Sequence, residues 1–249
     1  MSFSLKHRDR QPELMDNPAL DELQHRHALR GLRRVNAFSR STAILWPTIC
    51  EVAEWLSGHR GLSERPGLPG RPVRILDIAS GGGDLAVDLA SRANRSAIEV
   101  EIEGCDISPL AVQLATELAT QRQLDNVQFV QVDAIHGELD GPYDIVMCSL
   151  FLHHLPEDEV RCLLLRMKEL ATHRVLINDL RRTRLGYALA WGGCRLLTRS
   201  SIVHTDGPLS VRAAFSLGEV RRFADECGLT GATLTTHWPQ RFLLNWKAP

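Results

Sequence analysis

Between residues 73 and 180, short apolar runs alternate with stretches of helical periodicity, and few folds accept that order. The runs VRILDIA (73–79), AIEVEIEGCDI (97–107), NVQFVQVDA (126–134), YDIVMCSLFL (143–152) and RVLINDL (174–180) are strand-like. Between them DLAVDLASRA (84–93), Pro109 to Gln121 and Pro156 to Leu170 carry helical spacing. Strands this continuously apolar are buried on both faces, and helices between them act as right-handed crossovers of a parallel sheet. The rhythm then breaks. Ser216 to Cys227 predicts a helix with Gly228 as its stop, and TGATLTTHWPQRFLLNW predicts two strands turning at Pro239–Gln240. So short a connection makes them antiparallel. The expectation is an α/β fold, with a doubly wound, mostly parallel seven-stranded sheet and an antiparallel C-terminal strand.

The flanks supply helices. Residues 1–18 are polar and punctuated by proline, an irregular arm. From Leu20 to Ser57, Leu23, Leu29, Leu32, Val35 and Phe38, then Ile44, Leu45, Ile49, Val52 and Leu56, mark two helices. Pro47 fits the second helix's first turn or a kink near its start. The stretch 57–72, SGHRGLSERPGLPGRP, is a loop. These signals divide the chain into an N-terminal arm and helical cap, 1–58, and a main domain, 73–249, with a cap insertion at 181–215. An insertion beyond the carboxyl end of a strand is placed to cover a pocket.

Twenty-nine basic and 30 acidic residues give a net charge of −1, no global attraction for nucleic acid or anionic lipid. The six cysteines stand singly without C-x-x-C spacing, so no structural metal is expected. An N-terminus without an apolar signal region, and the lack of a long charge-free apolar stretch, point to a cytoplasmic protein without membrane insertion.

The segment ILDIASGGGDLAVDLA (75–90) runs from strand through glycines into helix. Such a loop lets backbone approach a ligand closely and presents the helix N-terminus to it. Gly81-x-Gly83-x-x-Ala86, with Asp106 at the distance of a ribose-binding acid, satisfies a dinucleotide fingerprint. That reading predicts an NAD(P)-dependent oxidoreductase. Asp77 argues otherwise, since an acid beside the loop repels a pyrophosphate and suits a cationic cofactor.

With the glycines, Asp77 gives D-x-A-x-G-x-G, which resembles motif I of class I, Rossmann-like methyltransferases that use S-adenosylmethionine, with Ala79 in place of the first glycine. The chain is similar to ubiquinone/menaquinone-type enzymes and to those of phenolic lipid and polyketide pathways, over roughly 73–180 and 216–247. The resemblance implies an S-adenosylmethionine site formed by Asp77, Ala79, Ser80, Gly81, Gly83, Asp84, Asp106, Ile107, Asp133, Ala134, Ser149, Leu150 and His154. Asp106 would hold the ribose hydroxyls and Asp133 the adenine amino group, with Ala134 alongside. The implied reaction is methylation of a small, lipophilic phenolic or quinol-type acceptor at oxygen or carbon.

Candidate bases are His154 (or its neighbour His153) after the fourth strand, His237 in the terminal hairpin, and His204 in VHTDGP, read with Asp206 as a turn over the pocket. Leu185, Leu189, Trp191, Leu196 and Leu197 suggest an apolar lid. Neighbouring histidines on different faces would not chelate a metal. Cys148-Ser149-Leu150-Phe151 offers no amide or paired prolines of the nucleic-acid methylating kind. The N-terminal helices suit either closure over the cofactor or a homodimer contact.

Overall fold

The computed structural model describes residues 5–16, 21–58 and 71–249, so most of the 57–72 loop and parts of the N-terminal arm lie outside the described residues. Seven strands form one sheet: β1 (Val73–Ile78), β2 (Val100–Asp106), β3 (Val127–Gln131), β4 (Tyr143–Ser149), β5 (Ala171–Leu180), β6 (Thr233–His237) and β7 (Arg241–Lys247). Their order is β3-β2-β1-β4-β5-β7-β6. The pairs β3·β2, β2·β1, β1·β4 and β4·β5 are parallel, and β5·β7 and β7·β6 antiparallel. The expected sheet is therefore present.

The helices are α1 (Glu22–Ser39), α2 (Ser41–Gly58), α3 (Asp84–Arg95), α4 (Pro109–Gln121), α5 (Glu157–Leu170), α6 (Arg184–Leu197), α7 (Ser201–Ala213) and α8 (Leu217–Glu226). Local sequence sets several starts. Ser108 accepts from the Ala111 N–H with Pro109 in the first turn of α4, and Ser216 and Glu219 form a reciprocal capping box on α8. Gly228 stops that segment at φ +69°. One alternative falls and one expectation needs correction. Pro47 lies inside α2, past its first turn, because the helix begins at Ser41, so of its two expected places the first turn is excluded. The VHTDGP stretch is no turn: α7 runs through it with Pro208 inside. Gly207 permits this, since a Cβ there would sit 2.4 Å from the Cys194 sulfur of α6.

Two apolar cores flank the sheet. Leu76, Val146, Val175, Phe223 and Phe242 belong to one, while Ile49, Ile75, Val87, Ile145 and Leu176 belong to the other. Helix α2 packs into the second. Helix α1 instead joins the insertion, where Ala28, Cys194, Ile202 and Val203 make a small separate cluster. The insertion is thus a helical cap formed with α1.

The arm is fastened across this cap. Arg8 donates to the carbonyls of His153 (2.7 Å), Leu155 (2.8 Å) and Ala213 (2.5 Å) and lies over the Phe215 ring. Arg10 donates to the His154 carbonyl, and Arg212 pairs with Asp9. Buried Asp206 accepts the backbone N–H groups of Leu14 (2.9 Å) and Met15 (3.0 Å). Removing that carboxylate leaves two N–H groups without their acceptor and should free the arm. Asp206→Ala is expected to speed amide exchange at Leu14 and Met15 while the strands stay protected; hydrogen-exchange mass spectrometry checks this.

Candidate functional site

The direction of strand order reverses between β1 and β4, and open α/β sheets bind ligands beyond the carboxyl ends of strands at such a point. A cavity of about 1900 Å³ opens there. It exceeds the roughly 300–1,000 Å³ of an ordinary ligand pocket, leaving room for a cofactor and an acceptor together. Its walls come from the glycine loop, the ends of β2, β4 and β5, the β6–β7 turn and the α6–α7 cap.

The loop between β1 and α3 is tightly wound. Ala79 (φ +54°), Gly81 (φ +54°) and Gly83 (φ +76°) are left-handed, which L residues other than glycine adopt at a cost. Ala79 accepts that cost where the family pattern has glycine. At Gly83 a Cβ would lie 2.7 Å from both Ala115 and Phe129, so this glycine serves close packing and is not part of the cavity wall. Leu150, at the end of β4, is also left-handed, at φ +60°. Two strained non-glycine residues thus face the cavity from adjacent strands.

Asp106 ties the loop to β2. Its Oδ2 accepts from the Gly81 N–H at 2.8 Å and its Oδ1 from the Ser108 N–H at 2.9 Å. Asp77 lies buried in the cavity wall, 2% exposed. Burial, and then the negative Asp106 nearby, push its pKa up to about 8. The Asp133 Oδ1 accepts from the N–H groups of Ile135 (2.8 Å) and His136 (3.2 Å). Asn178 donates to the hydroxyls of Ser149 (2.9 Å) and Ser41 (3.0 Å), joining α2 to the cavity wall.

Of the expected cofactor residues, Asp77, Ala79, Ser80, Gly81, Asp84, Asp106, Ile107, Asp133, Ala134, Ser149, Leu150 and His154 all line this cavity. Gly83 does not, for the reason given. His204 is outside the lining as well; its Nε2 lies 2.8 Å from the Thr198 carbonyl, within the cap. Its expected place over the pocket depended on the turn that α7 replaces. Leu189, Leu196 and Leu197 line the cavity, whereas Leu185 and Trp191 are exposed outside it.

At the far end, beyond β4 and β5, lies an arrangement the sequence did not disclose. The His153 Nδ1 is 2.7 Å from the Asp179 Oδ1, and the His153 N–H donates to Asp179 Oδ2 at 3.2 Å. Burial opposes the Asp179 charge, but His153, the Leu180 N–H and Arg241 outweigh it and hold the carboxyl below its ordinary value. An ionised Asp179 calls for a proton on Nδ1, which in the neutral imidazole leaves Nε2 as the acceptor. The His153 and His154 rings lie side by side, centroids 4.3 Å apart and tilted by 36°, rather than on different faces. Their nitrogens and a Glu13 carboxylate oxygen lie within 4.8 Å of one another. The only sequence signal for Asp179 was its position at the end of a strand.

Residues 71–183 match the family model described as a methyltransferase domain. The chain is 31% identical over 105 residues to ubiquinone biosynthesis O-methyltransferase of Acinetobacter baylyi, which covers 41% of this chain and 39% of that one. It is 36% identical over 93 residues to demethylmenaquinone methyltransferase of Deinococcus radiodurans, covering 37% and 36%. The matched stretch therefore spans well under half the length of these curated relatives. The S-adenosylmethionine-dependent methyltransferase SibL, in its apo form, superposes with a TM-score of 0.60 at 19% identity, over 98% of this chain and 65% of that one. That likeness is one of fold, and it extends over nearly the whole chain.

Asp77 yields a pH prediction. Its pKa in the folded chain lies above its unfolded value, so its contribution to stability is full below pH ~4 and is lost as pH rises toward about 8. Asp77→Asn, which mimics the neutral acid, should match the wild-type melting temperature near pH ~4 and exceed it by several degrees above pH ~8. Thermal unfolding across this range is the check; an unchanged difference would mean Asp77 is not held neutral.

Proposed function

We propose, from the premise that residues 71–183 are a methyltransferase domain of the class I, S-adenosylmethionine-dependent kind, that this chain methylates a small, lipophilic phenolic or quinol-type acceptor at oxygen or carbon. The carrying observation is the buried Asp77 carboxyl beneath the glycine loop with no cation among the described residues to compensate it, a group that a cationic ligand would ionise and a pyrophosphate would not. The comparisons give the nicotinamide reading no support. The antiparallel β6–β7 pair at the sheet edge also departs from that class.

The residues present fit S-adenosylmethionine. An ammonium near Asp77 would restore the charge that burial suppresses. Asp106, already fixed by two backbone N–H groups, points a carboxylate at the cavity where ribose hydroxyls can donate to it. The Asp133 Oδ2 accepts no hydrogen bond from the described residues and suits an exocyclic amine. The cofactor brings a methyl group already activated by a sulfonium, so the protein's task is alignment, exclusion of water and management of the acceptor proton. Phe151 and Leu155 with the cap leucines supply an apolar wall.

His153 takes the acceptor proton in this reading. Asp179 orients its ring and stabilises the imidazolium that forms, while Nε2 stays available as the base. His154, which the sequence favoured, has a role in the cavity wall. Quinone-pathway acceptors enter through the relatives' names and the apolar cap, and a phenol needs such a base at neutral pH.

Titration with S-adenosylhomocysteine should show binding, with none for NADH or NADPH; binding of a nicotinamide cofactor alone would overturn the assignment. His153→Gln should lower turnover of a phenolic acceptor about a hundredfold or more and leave S-adenosylhomocysteine affinity unchanged. Equal turnover in that variant would remove His153 from the reaction.

A further inference from the structure

Arg241, the first residue of β7, is 4% exposed and lies in the cavity wall. Its Nε and Nη1 are both buried without a hydrogen-bond partner. An unmade bond on a buried cation is costly, and this chain avoids that cost at its other buried arginines. Arg174 reaches Glu51 and the His173 carbonyl. Arg182 reaches the Leu5 and Ala214 carbonyls and Glu219.

The nearby anion does not complete Arg241, whose Nε and Nη1 make no hydrogen bond to it. Asp179 attracts it electrostatically, but both Asp179 oxygens are already engaged by His153 and the Leu180 N–H. Burial draws the Arg241 pKa down to about 10, against the pull of Asp179, so the side chain stays cationic at neutral pH. A charged guanidinium with idle donors in a cavity wall is one that an anionic ligand oxygen reaching it would complete.

We infer that Arg241 forms an acceptor subsite, receiving an anionic oxygen, carboxylate or phenolate, carried by the ring that is methylated. This deepens the proposed function and rests on it. Position separates the subsite from the cofactor: strands β4 and β5 stand between Arg241 and the Asp77 strand. The Asp179–His153 pair lies beside Arg241, so one end of the cavity combines an anion receptor with a base. An acceptor anchored there is held in register, and its acidic group is selected over a neutral one, because leaving the guanidinium unpaired is penalised.

The test is calorimetry on the full chain saturated with S-adenosylhomocysteine. The probes are para-hydroxybenzoate against para-hydroxybenzamide, and para-nitrophenolate against para-nitroanisole. At least one anion should bind about tenfold or more tightly than its neutral counterpart. Which pair shows the preference identifies carboxylate or phenolate. R241Q should abolish the preference and R241K retain part of it, each with S-adenosylhomocysteine affinity within roughly twofold of wild type. R241Q should still fold and melt within a few degrees of wild type, because the donors it removes make no hydrogen bond through Nε or Nη1 and Asp179 keeps His153 and the Leu180 N–H. The inference is overturned if no anionic probe binds, or if the preference survives in R241Q. It is also overturned if R241Q loses S-adenosylhomocysteine affinity about tenfold, which would assign the guanidinium to the cofactor's carboxylate, or if R241Q fails to fold. Failure of the wild-type chain to bind S-adenosylhomocysteine would instead defeat the proposed function.

Discussion

Two hydrogen bonds to one carboxylate organise the site. Asp106 accepts from Gly81 on one side and Ser108 on the other, joining the glycine loop, the end of β2 and the start of α4. The left-handed backbone at Ala79, Gly81 and Gly83 can persist because the loop is held at that point and packed at another, where Gly83 meets Ala115 and Phe129. The same carboxylate adds its charge to the burial of Asp77, and so helps keep that neighbour neutral. A cation entering the cavity would meet two acids, one ionised and one ready to become so. That electrostatic arrangement separates this loop from a pyrophosphate cradle of similar sequence.

The cavity is composite. One side is built by the parallel half of the sheet, and the other by the β6–β7 turn, the α6–α7 cap and the arm. Arg8 and Asp206 hold the arm from opposite directions, one through carbonyls and one through N–H groups. His153 is fixed at three places: its carbonyl by Arg8, its N–H and its ring by Asp179. Such fixing limits the motion of the His153 ring, as the proposed proton acceptor would require.

The sheet and one wall of the cavity were legible because their signals are local. Apolar runs, a glycine loop and acids at strand ends name their own positions, and Asp77, Asp106 and Asp133 lie in the cavity wall as expected. The cap was less legible. Gly207 and Pro208 look like punctuation, yet the helix continues there because α6 needs close approach at Gly207 and the first turns are capped by Ser200. His204 and Asp206 changed meaning with it, one reaching the Thr198 carbonyl and the other the arm. Asp179 and Arg241 gave no signal beyond their strands. Their significance depends on which hydrogen bonds are already made, and that follows from β5 and β7 meeting in antiparallel register.

The central claim is that one cavity holds a cationic cofactor against Asp77 and Asp106 and leaves the His153–Arg241 end for an acceptor. A crystal structure with S-adenosylhomocysteine tests it most directly. The account predicts the ribose hydroxyls on Asp106, the amino group on the Asp77 side of the glycine loop, and space left open beside His153 and Arg241. A ligand whose amino-acid end lies against Arg241, or one bound away from the glycine loop, would contradict it.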